Sequence, residues 1–92
     1  MTDKKPLILC VDDDPDILSF LQVVLEAGGF AYAGAESAEA GLRTYRETGA
    51  AAVIVDLMME EVDSGTALVK DLLALGCRAP IFMLSSVGEG MS

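Results

Sequence analysis

Residues 7–15, Leu7-Ile8-Leu9-Cys10-Val11-Asp12-Asp13-Asp14-Pro15, run from five apolar side chains into three carboxylates and a proline. The apolar run has the length and composition of a strand buried on both faces, as in a parallel sheet. Pro15 is typical of the first turn of a helix, with Asp14 as its N-cap. An acidic cluster is therefore predicted where the carboxyl end of a central strand meets a helix, and open α/β sheets bind ligands at that edge.

Strand-like and helix-like segments alternate along the rest of the chain. The predicted strands are residues 6–12, 30–34, 51–56 and 81–84. The predicted helices are residues 15–28, residues 38–48 with Ser37 as cap, and a third that starts at Asp63 or Ser64 and ends near Leu75. This alternation predicts an α/β fold with a parallel sheet and right-handed crossovers.

Helical spacing predicts which face of each helix packs on the sheet. The predicted inward residues are Ile17, Leu21, Val24 and Leu25 in the first helix, Ala38, Leu42 and Tyr45 in the second, and Leu68, Leu72 and Leu75 in the third. Cys10 lies inside the first apolar run and is interpreted as a small buried hydrophobe.

Composition limits the kinds of partner. The 92 residues make one small domain, and the net charge of −9 argues against nucleic acid or an anionic membrane as a direct partner. The chain has no histidine and no CxxC spacing, which argues against a zinc site. No apolar run approaches a membrane span, and the N-terminus has no signal-peptide apolar region, so we expect a cytoplasmic protein.

Polar groups follow three of the predicted strands: Asp12 and Asp13, then Asp56, then Ser85. If these strands are parallel neighbours, the groups converge at one edge, where carboxylates either raise one another's pKa or hold a cation. Ligands that are all oxygen favour Mg²⁺, which suits phosphoryl chemistry at an aspartate. The alternative is a solvated acidic loop with a helix cap. Asp56 weighs against it, because a carboxylate at the end of a buried strand is costly unless it is satisfied.

Three collinear segments span nearly the whole chain and resemble the receiver domain of two-component response regulators. They are Ile8-Leu9-Cys10-Val11-Asp12-Asp13-Asp14-Pro15, Val53-Ile54-Val55-Asp56-Leu57-Met58-Met59 and Ala79-Pro80-Ile81-Phe82-Met83-Leu84-Ser85-Ser86. The resemblance implies a flavodoxin-like (CheY-like) doubly wound parallel sheet of strand order 2-1-3-4, without the fifth strand.

The resemblance also implies a role for each site residue. Asp56 is expected to accept a phosphoryl group from a histidine kinase or a histidine phosphotransfer protein. Asp13 is expected to bind Mg²⁺ directly and Asp12 through water, with Asp56 and the backbone carbonyl of Met58 as further ligands. Ser85 is expected to be the switch hydroxyl that turns toward the phosphoryl group. The chain is thus expected to be a signalling module and not an enzyme.

The sequence departs from the family at three places, one of which is Ser64, where the family has glycine. Glu60 stands where the family has proline, and the family continues past its fourth strand to a fifth strand that carries a lysine; none of Lys4, Lys5 or Lys70 matches that lysine. We therefore expect residues 1–92 to be a receiver domain that is C-terminally truncated or incomplete. An exposed apolar edge at residues 81–84 would then favour a homodimer through that strand.

Two other functions stay open at this point. The absent lysine is compatible with a receiver-like scaffold that binds a partner without phosphorylation. An aspartate-nucleophile phosphatase of the haloacid dehalogenase type would use Asp12 and Asp14 as its pair. That pair would leave Asp56 unexplained, and Pro15-Asp16 does not match the small turn residues which follow the pair in that family.

Overall fold

The computed structural model describes residues 5–56 and 64–84, and strands and helices alternate within them. The elements are β1 (Leu7–Val11), α1 (Pro15–Ala27), β2 (Ala31–Ala35), α2 (Ala38–Thr48), β3 (Ala52–Asp56), α3 (Ser64–Ala74) and β4 (Ile81–Leu84). The predicted order of elements is confirmed, and each described boundary lies within one residue of its predicted position.

The four strands form one parallel sheet of order β2-β1-β3-β4, which confirms the predicted order. The register places Cys10, Ile54 and Phe82 in one row across β1, β3 and β4. Because neighbouring parallel strands in register point their side chains to the same side, this row lies on one face of the sheet. Val11 and Val55 lie in the next row, on the opposite face.

Side-chain caps fix where two of the helices begin. The Asp14 carboxylate accepts a hydrogen bond of 2.9 Å from the backbone N–H of Asp16 at the start of α1. The Ser37 hydroxyl accepts one of 3.1 Å from the N–H of Ala40 at the start of α2. Each bond satisfies an N–H that has no partner inside its own helix. The α1 cap fixes the direction in which the chain leaves β1, next to the acidic residues.

The larger core lies between the sheet and α2 and α3. Its fully buried members include Leu9, Val11, Val53, Val55, Leu68 and Leu72. The predicted inward residues of α2 pack against this core. Gly41 allows the close approach of α2, because a Cβ at that position would lie 2.7 Å from Cγ2 of Val11. Leu75 was predicted to face inward, and that prediction is wrong: it lies in the turn after α3 and is exposed.

The smaller core lies under α1, where Ile8, Cys10, Leu18 and Ala52 are buried. Leu21 and Leu25 pack against it, as predicted, whereas Ile17 and Val24 are exposed, so their predicted inward positions are wrong. Apolar residues occupy most of the circumference of α1, and helical spacing alone therefore does not decide which arc meets the sheet. None of the described helices is both long enough and apolar enough to cross a membrane.

Candidate metal centre

Three carboxylates meet at the carboxyl ends of β1 and β3. Asp12 and Asp13 directly follow β1, and Asp56 is the last residue of the neighbouring strand β3. Since Val11 is in register with Val55, the chain brings Asp12 and Asp56 to the same level of the sheet. One carboxylate oxygen from each of the three residues lies within 4.8 Å of the other two. The two strand ends thus form one acidic cluster, which is defined here as Asp12, Asp13 and Asp56.

Asp12 is the most deeply placed member of the acidic cluster, with only 4% of its surface exposed. Its backbone N–H donates to the carbonyl of Ala35 in β2 over 3.0 Å. Its side-chain Oδ1 accepts a hydrogen bond of 2.9 Å from the N–H of Asp14. These two bonds hold the carboxylate at the junction of β1, β2 and the start of α1. Asp13 and Asp56 are half-buried and remain accessible from solvent.

Burial and neighbouring carboxylates raise the pKa of one member of the acidic cluster, Asp12. Burial is the largest cause that raises the pKa of Asp12, which reaches about 6 from an ordinary value of 3.8. The charge of Asp56, a side-chain hydrogen bond with Asp56 and the charge of Asp13 raise it further, while the Asp14 N–H opposes the rise. A buried carboxylate beside two others favours either a shared proton or a bound cation, because both reduce the repulsion.

The donor set of the acidic cluster fits Mg²⁺. This ion takes oxygen ligands at 2.0–2.1 Å in an octahedron, so that opposite ligands lie about 4.2 Å apart. The three oxygens lie within 4.8 Å of one another, a range that includes this separation. A cluster built only of carboxylate oxygens favours such a hard ion over the transition metals that prefer histidine or cysteine.

Two of the predicted site residues, Met58 and Ser85, lie outside the described residues, as does Glu60. The sequence interpretation missed one contributor within the described part of the chain, the backbone N–H of Asp14. The signal was present in the spacing, because an aspartate often accepts a hydrogen bond from the N–H two residues further along.

The parallel α/β sheet with an acidic cluster at its carboxyl edge defines a broad class of α/β proteins, and comparison with known proteins identifies the family within it. Residues 8–91 match the family model of the response regulator receiver domain. The chain therefore belongs to the receiver-domain family of two-component response regulators.

Curated relatives agree with this assignment. The transcriptional regulatory protein GlrR of Escherichia coli K12 is 34% identical over 89 residues, an alignment that covers 97% of this chain and 20% of GlrR. The transcriptional regulatory protein PrrA of Mycobacterium tuberculosis is 35% identical over 81 residues, which covers 88% of this chain and 34% of PrrA. The chain thus spans between a fifth and about a third of the length of these two relatives.

Solved structures show the same fold. A CheY-like response regulator receiver domain from Methylobacillus flagellatus superposes with a TM-score of 0.83 at 26% identity, over 97% of this chain and 76% of the other. The response regulator protein TrrA of Thermotoga maritima, solved in complex with Mg²⁺-BeF, gives a TM-score of 0.82 at 27% identity. That match covers 94% of this chain and 74% of TrrA.

Proposed function

We propose that Asp56 accepts a phosphoryl group from a histidine kinase or a histidine phosphotransfer protein. Mg²⁺ would be held by Asp12, Asp13, Asp56 and the backbone carbonyl of Met58. The observation that carries the proposal is the meeting of three carboxylate oxygens at the ends of two neighbouring strands. Family membership supports the phosphorelay role, and the Mg²⁺-BeF complex of TrrA supports the choice of cation.

The proposed step is a phosphoryl transfer between two side chains. A carboxylate oxygen of Asp56 forms a bond to phosphorus, the bond from phosphorus to the donor imidazole nitrogen breaks, and the released imidazole takes up a proton. When bound, the metal ion offsets the negative charge on the transferring group. Asp12 and Asp13 carry the charge that binds the ion. The half-buried position of Asp56 leaves its carboxylate open to a donor.

The proposed consequence of the transfer is a local change of charge and shape. A phosphoryl group adds about −1.5 to −2 charge and three acceptor oxygens. We assign Ser85 the role of the hydroxyl that turns toward those oxygens. Movement of that hydroxyl would shift the packed surface around it and so report the phosphorylation state to a partner.

The geometry of Asp14 favours a receiver over a phosphatase of the haloacid dehalogenase type. That phosphatase would pair Asp12 with Asp14 as its two reacting carboxylates. The Asp14 side chain is exposed, and it accepts the capping hydrogen bond from Asp16. Asp12 instead has a hydrogen bond with Asp56. The carboxylate next to Asp12 is therefore Asp56, the residue that the phosphatase interpretation leaves without a role.

The wider setting is proposed from the family and from charge. Residues 1–92 would belong to a receiver domain in the cytoplasm that signals rather than turns over a substrate. The net charge of −9 supports contact with basic protein surfaces and cations, not with nucleic acid.

Acetyl phosphate tests the proposal directly. The chain is incubated with acetyl phosphate and Mg²⁺, and its intact mass is measured. We expect the mass to rise by one phosphoryl group, and to stay unchanged in Asp56→Asn or with EDTA. Asp14→Asn is the matched control, because asparagine also caps helices and the variant keeps the acidic cluster.

The other outcomes identify the alternatives. A phosphoryl group that persists in Asp56→Asn contradicts the assignment of the acceptor. Steady release of phosphate that depends on Asp12 indicates a phosphatase. A chain that takes up no phosphoryl group, while still binding Mg²⁺, indicates a scaffold that works without phosphorylation.

A further inference from the structure

The chain leaves β1 through two consecutive turns of the same kind, and an aspartate side chain closes each of them. In the first turn, Oδ1 of Asp12 accepts a hydrogen bond of 2.9 Å from the backbone N–H of Asp14. In the second turn, Oδ1 of Asp14 accepts one of 2.9 Å from the backbone N–H of Asp16. Asp14 therefore belongs to both turns, as a backbone donor in the first and as a side-chain acceptor in the second.

The side chain of Asp14 is separate from the acidic cluster although it is next to it in sequence. It is exposed at the start of α1, whereas Asp12 is almost fully buried. Within the described residues, the carboxylates close enough to one another to hold one ion are those of the acidic cluster, and Asp14 is not among them. Asp14 can therefore act on the acidic cluster through its backbone rather than as a ligand.

The backbone around Asp14 is fixed from the side of α1. Its carbonyl accepts hydrogen bonds of 3.1 and 3.2 Å from the N–H groups of Ile17 and Leu18. Leu18 is buried against the sheet, so this first turn of the helix is tied to the core. The cap completes the turn, and without it the first turn of a helix frays more readily. Fraying would release the direction of the peptide between Asp13 and Asp14, whose N–H holds Asp12.

A bound cation would change the partners of Asp12. In the metal-free chain Asp12 also has a hydrogen bond with Asp56, which needs a proton on one of the two carboxyl groups. A cation takes the place of that proton, because both reduce the repulsion between the carboxylates. An ionised carboxylate has about four acceptor positions, so Asp12 can accept from the Asp14 N–H and bind an ion at the same time. The bond from Asp14 is thus a restraint on Asp12 that the ion does not displace.

We propose that Asp14 is a positioning residue of the magnesium site, because its cap on α1 fixes the backbone N–H that orients Asp12. This inference rests on the proposed function, in which the acidic cluster holds the ion. Partners that orient a metal ligand typically alter metal affinity by about 10- to 100-fold. The cap of Asp14 acts one step further away, since its loss loosens the N–H without removing it, and a smaller effect is therefore expected.

A different role for Asp14 would be to add negative charge near the ion. Asparagine separates the two roles, because it keeps a side-chain oxygen that caps a helix and lacks the charge. A positioning role predicts that Asp14→Asn binds Mg²⁺ as the wild type does, while Asp14→Ala binds it more weakly. A role of charge predicts that the two variants lose affinity equally.

Isothermal titration calorimetry of the 92-residue chain with Mg²⁺ tests the proposal. We expect the dissociation constant to rise by about three- to tenfold in Asp14→Ala and to stay within about twofold of the wild type in Asp14→Asn. Ser37→Ala is the matched control, because it removes the cap of α2, whose hydrogen bond goes to the N–H of Ala40. Its dissociation constant should also stay within about twofold of the wild type. Far-UV circular dichroism checks that each variant is folded.

The rate of phosphoryl uptake from acetyl phosphate gives a second readout. In Asp14→Ala, the Mg²⁺ concentration for the half-maximal rate should rise by the same factor as the dissociation constant. The maximal rate should stay within about twofold of the wild type, because saturating Mg²⁺ restores the occupancy of the site. A variant that merely contained less folded protein would show a lower maximal rate with no shift in the Mg²⁺ concentration.

An unchanged Mg²⁺ dissociation constant in Asp14→Ala overturns the proposal. An equal rise in Asp14→Asn or in Ser37→Ala overturns it too, since the first indicates charge and the second a general loss of stability. A lower maximal rate without a shift in the Mg²⁺ concentration also contradicts it. A wild-type chain that binds no Mg²⁺ contradicts the proposed function itself, whereas a wild type that binds Mg²⁺ no better than Asp14→Ala contradicts this inference alone.

Discussion

The two faces of the sheet differ in how many strands their helices cover. One face lies under α2 and α3, and the other lies under α1. On the first face, two helices bury Val11, Val55, Leu68 and Leu72 almost completely. On the second face, α1 is the one helix among residues 5–56 and 64–84, and it buries Cys10, while Phe82 two strands away is more than half exposed.

The difference follows from the widths of the elements. A helix with its side chains is about 10 Å wide, and neighbouring strands lie about 4.8 Å apart, so one helix covers about two strands. Within the part of the chain that the structure describes, one helix therefore covers about half of a face of four strands. The comparison teaches that the number of helices on each face, rather than the apolar content of a strand, decides which strand residues are buried.

Truncation of a side chain on each face gives the largest expected difference. Leu72→Ala removes a fully buried side chain under α3 and should lower the free energy of unfolding by about 2–5 kcal/mol. Phe82→Ala removes a larger side chain from the poorly covered face and should cost less than about 1 kcal/mol in dilute solution. Urea denaturation followed by circular dichroism at micromolar concentration measures both. Equal losses in the two variants would show that the two faces are equally packed.

The contact between Gly41 and Val11 gives the next largest effect. Gly41→Ala improves the intrinsic helix propensity of α2 by up to about 1 kcal/mol. Its new Cβ would lie 2.7 Å from a branched side chain that is itself fully buried, so a net loss of about 1–3 kcal/mol is expected. The double variant Gly41→Ala/Val11→Ala should lose less than the sum of the two single changes. If the losses in the free energy of unfolding from the two single variants simply add in the double variant, the close contact between α2 and the sheet is not the cause of the loss in Gly41→Ala.

The acidic cluster lies at the edge where the two faces meet, and a substitution there should give an effect of similar size and opposite sign. Asp12→Asn should stabilise the metal-free chain by about 1–3 kcal/mol near pH 8, because it removes a buried charge that the native state disfavours. The amide oxygen can still accept the hydrogen bond from Asp14. Urea midpoints measured with EDTA across the pH range report the difference. Asp71→Asn, exposed on α3, is the control.

The stabilisation by Asp12→Asn should depend on pH, and its sign follows from the direction in which the pKa of Asp12 is shifted. Because the native pKa of Asp12 is raised to about 6 from 3.8, the native state binds its proton more readily than the unfolded chain. The destabilising charge is fully present above about pH 6, shrinks as the pH falls, and is gone below about pH 4. The advantage of Asp12→Asn should vanish over the same window. At pH 8, added Mg²⁺ should make the wild type more stable than Asp12→Asn, since the ion stabilises the wild-type cluster. An advantage that is constant with pH would exclude Asp12 ionisation as its source.

Much of the fold was predictable, because Pro15, Ser37 and the apolar strand segments mark the elements in the chain itself. The inward arc of α1 was not, since apolar residues surround most of the helix and the sheet decides which of them it meets. Clustering of Asp12 with Asp56 was predictable from their places at two strand ends. The raised pKa of Asp12 depends on a burial of 96% that no spacing in the sequence expresses.

The hydrogen bond from the Asp14 N–H to Asp12 also has a spectroscopic consequence. The electron density at this amide depends on whether Asp12 holds a proton, a cation or neither. The N–H of Asp16 is bonded in the same way to Asp14, one step further from the cluster. In a nuclear magnetic resonance titration, the two amides therefore form a natural signal and reference pair. The first helix of the protein thus carries at its start an intrinsic indicator of what the acidic residues have bound.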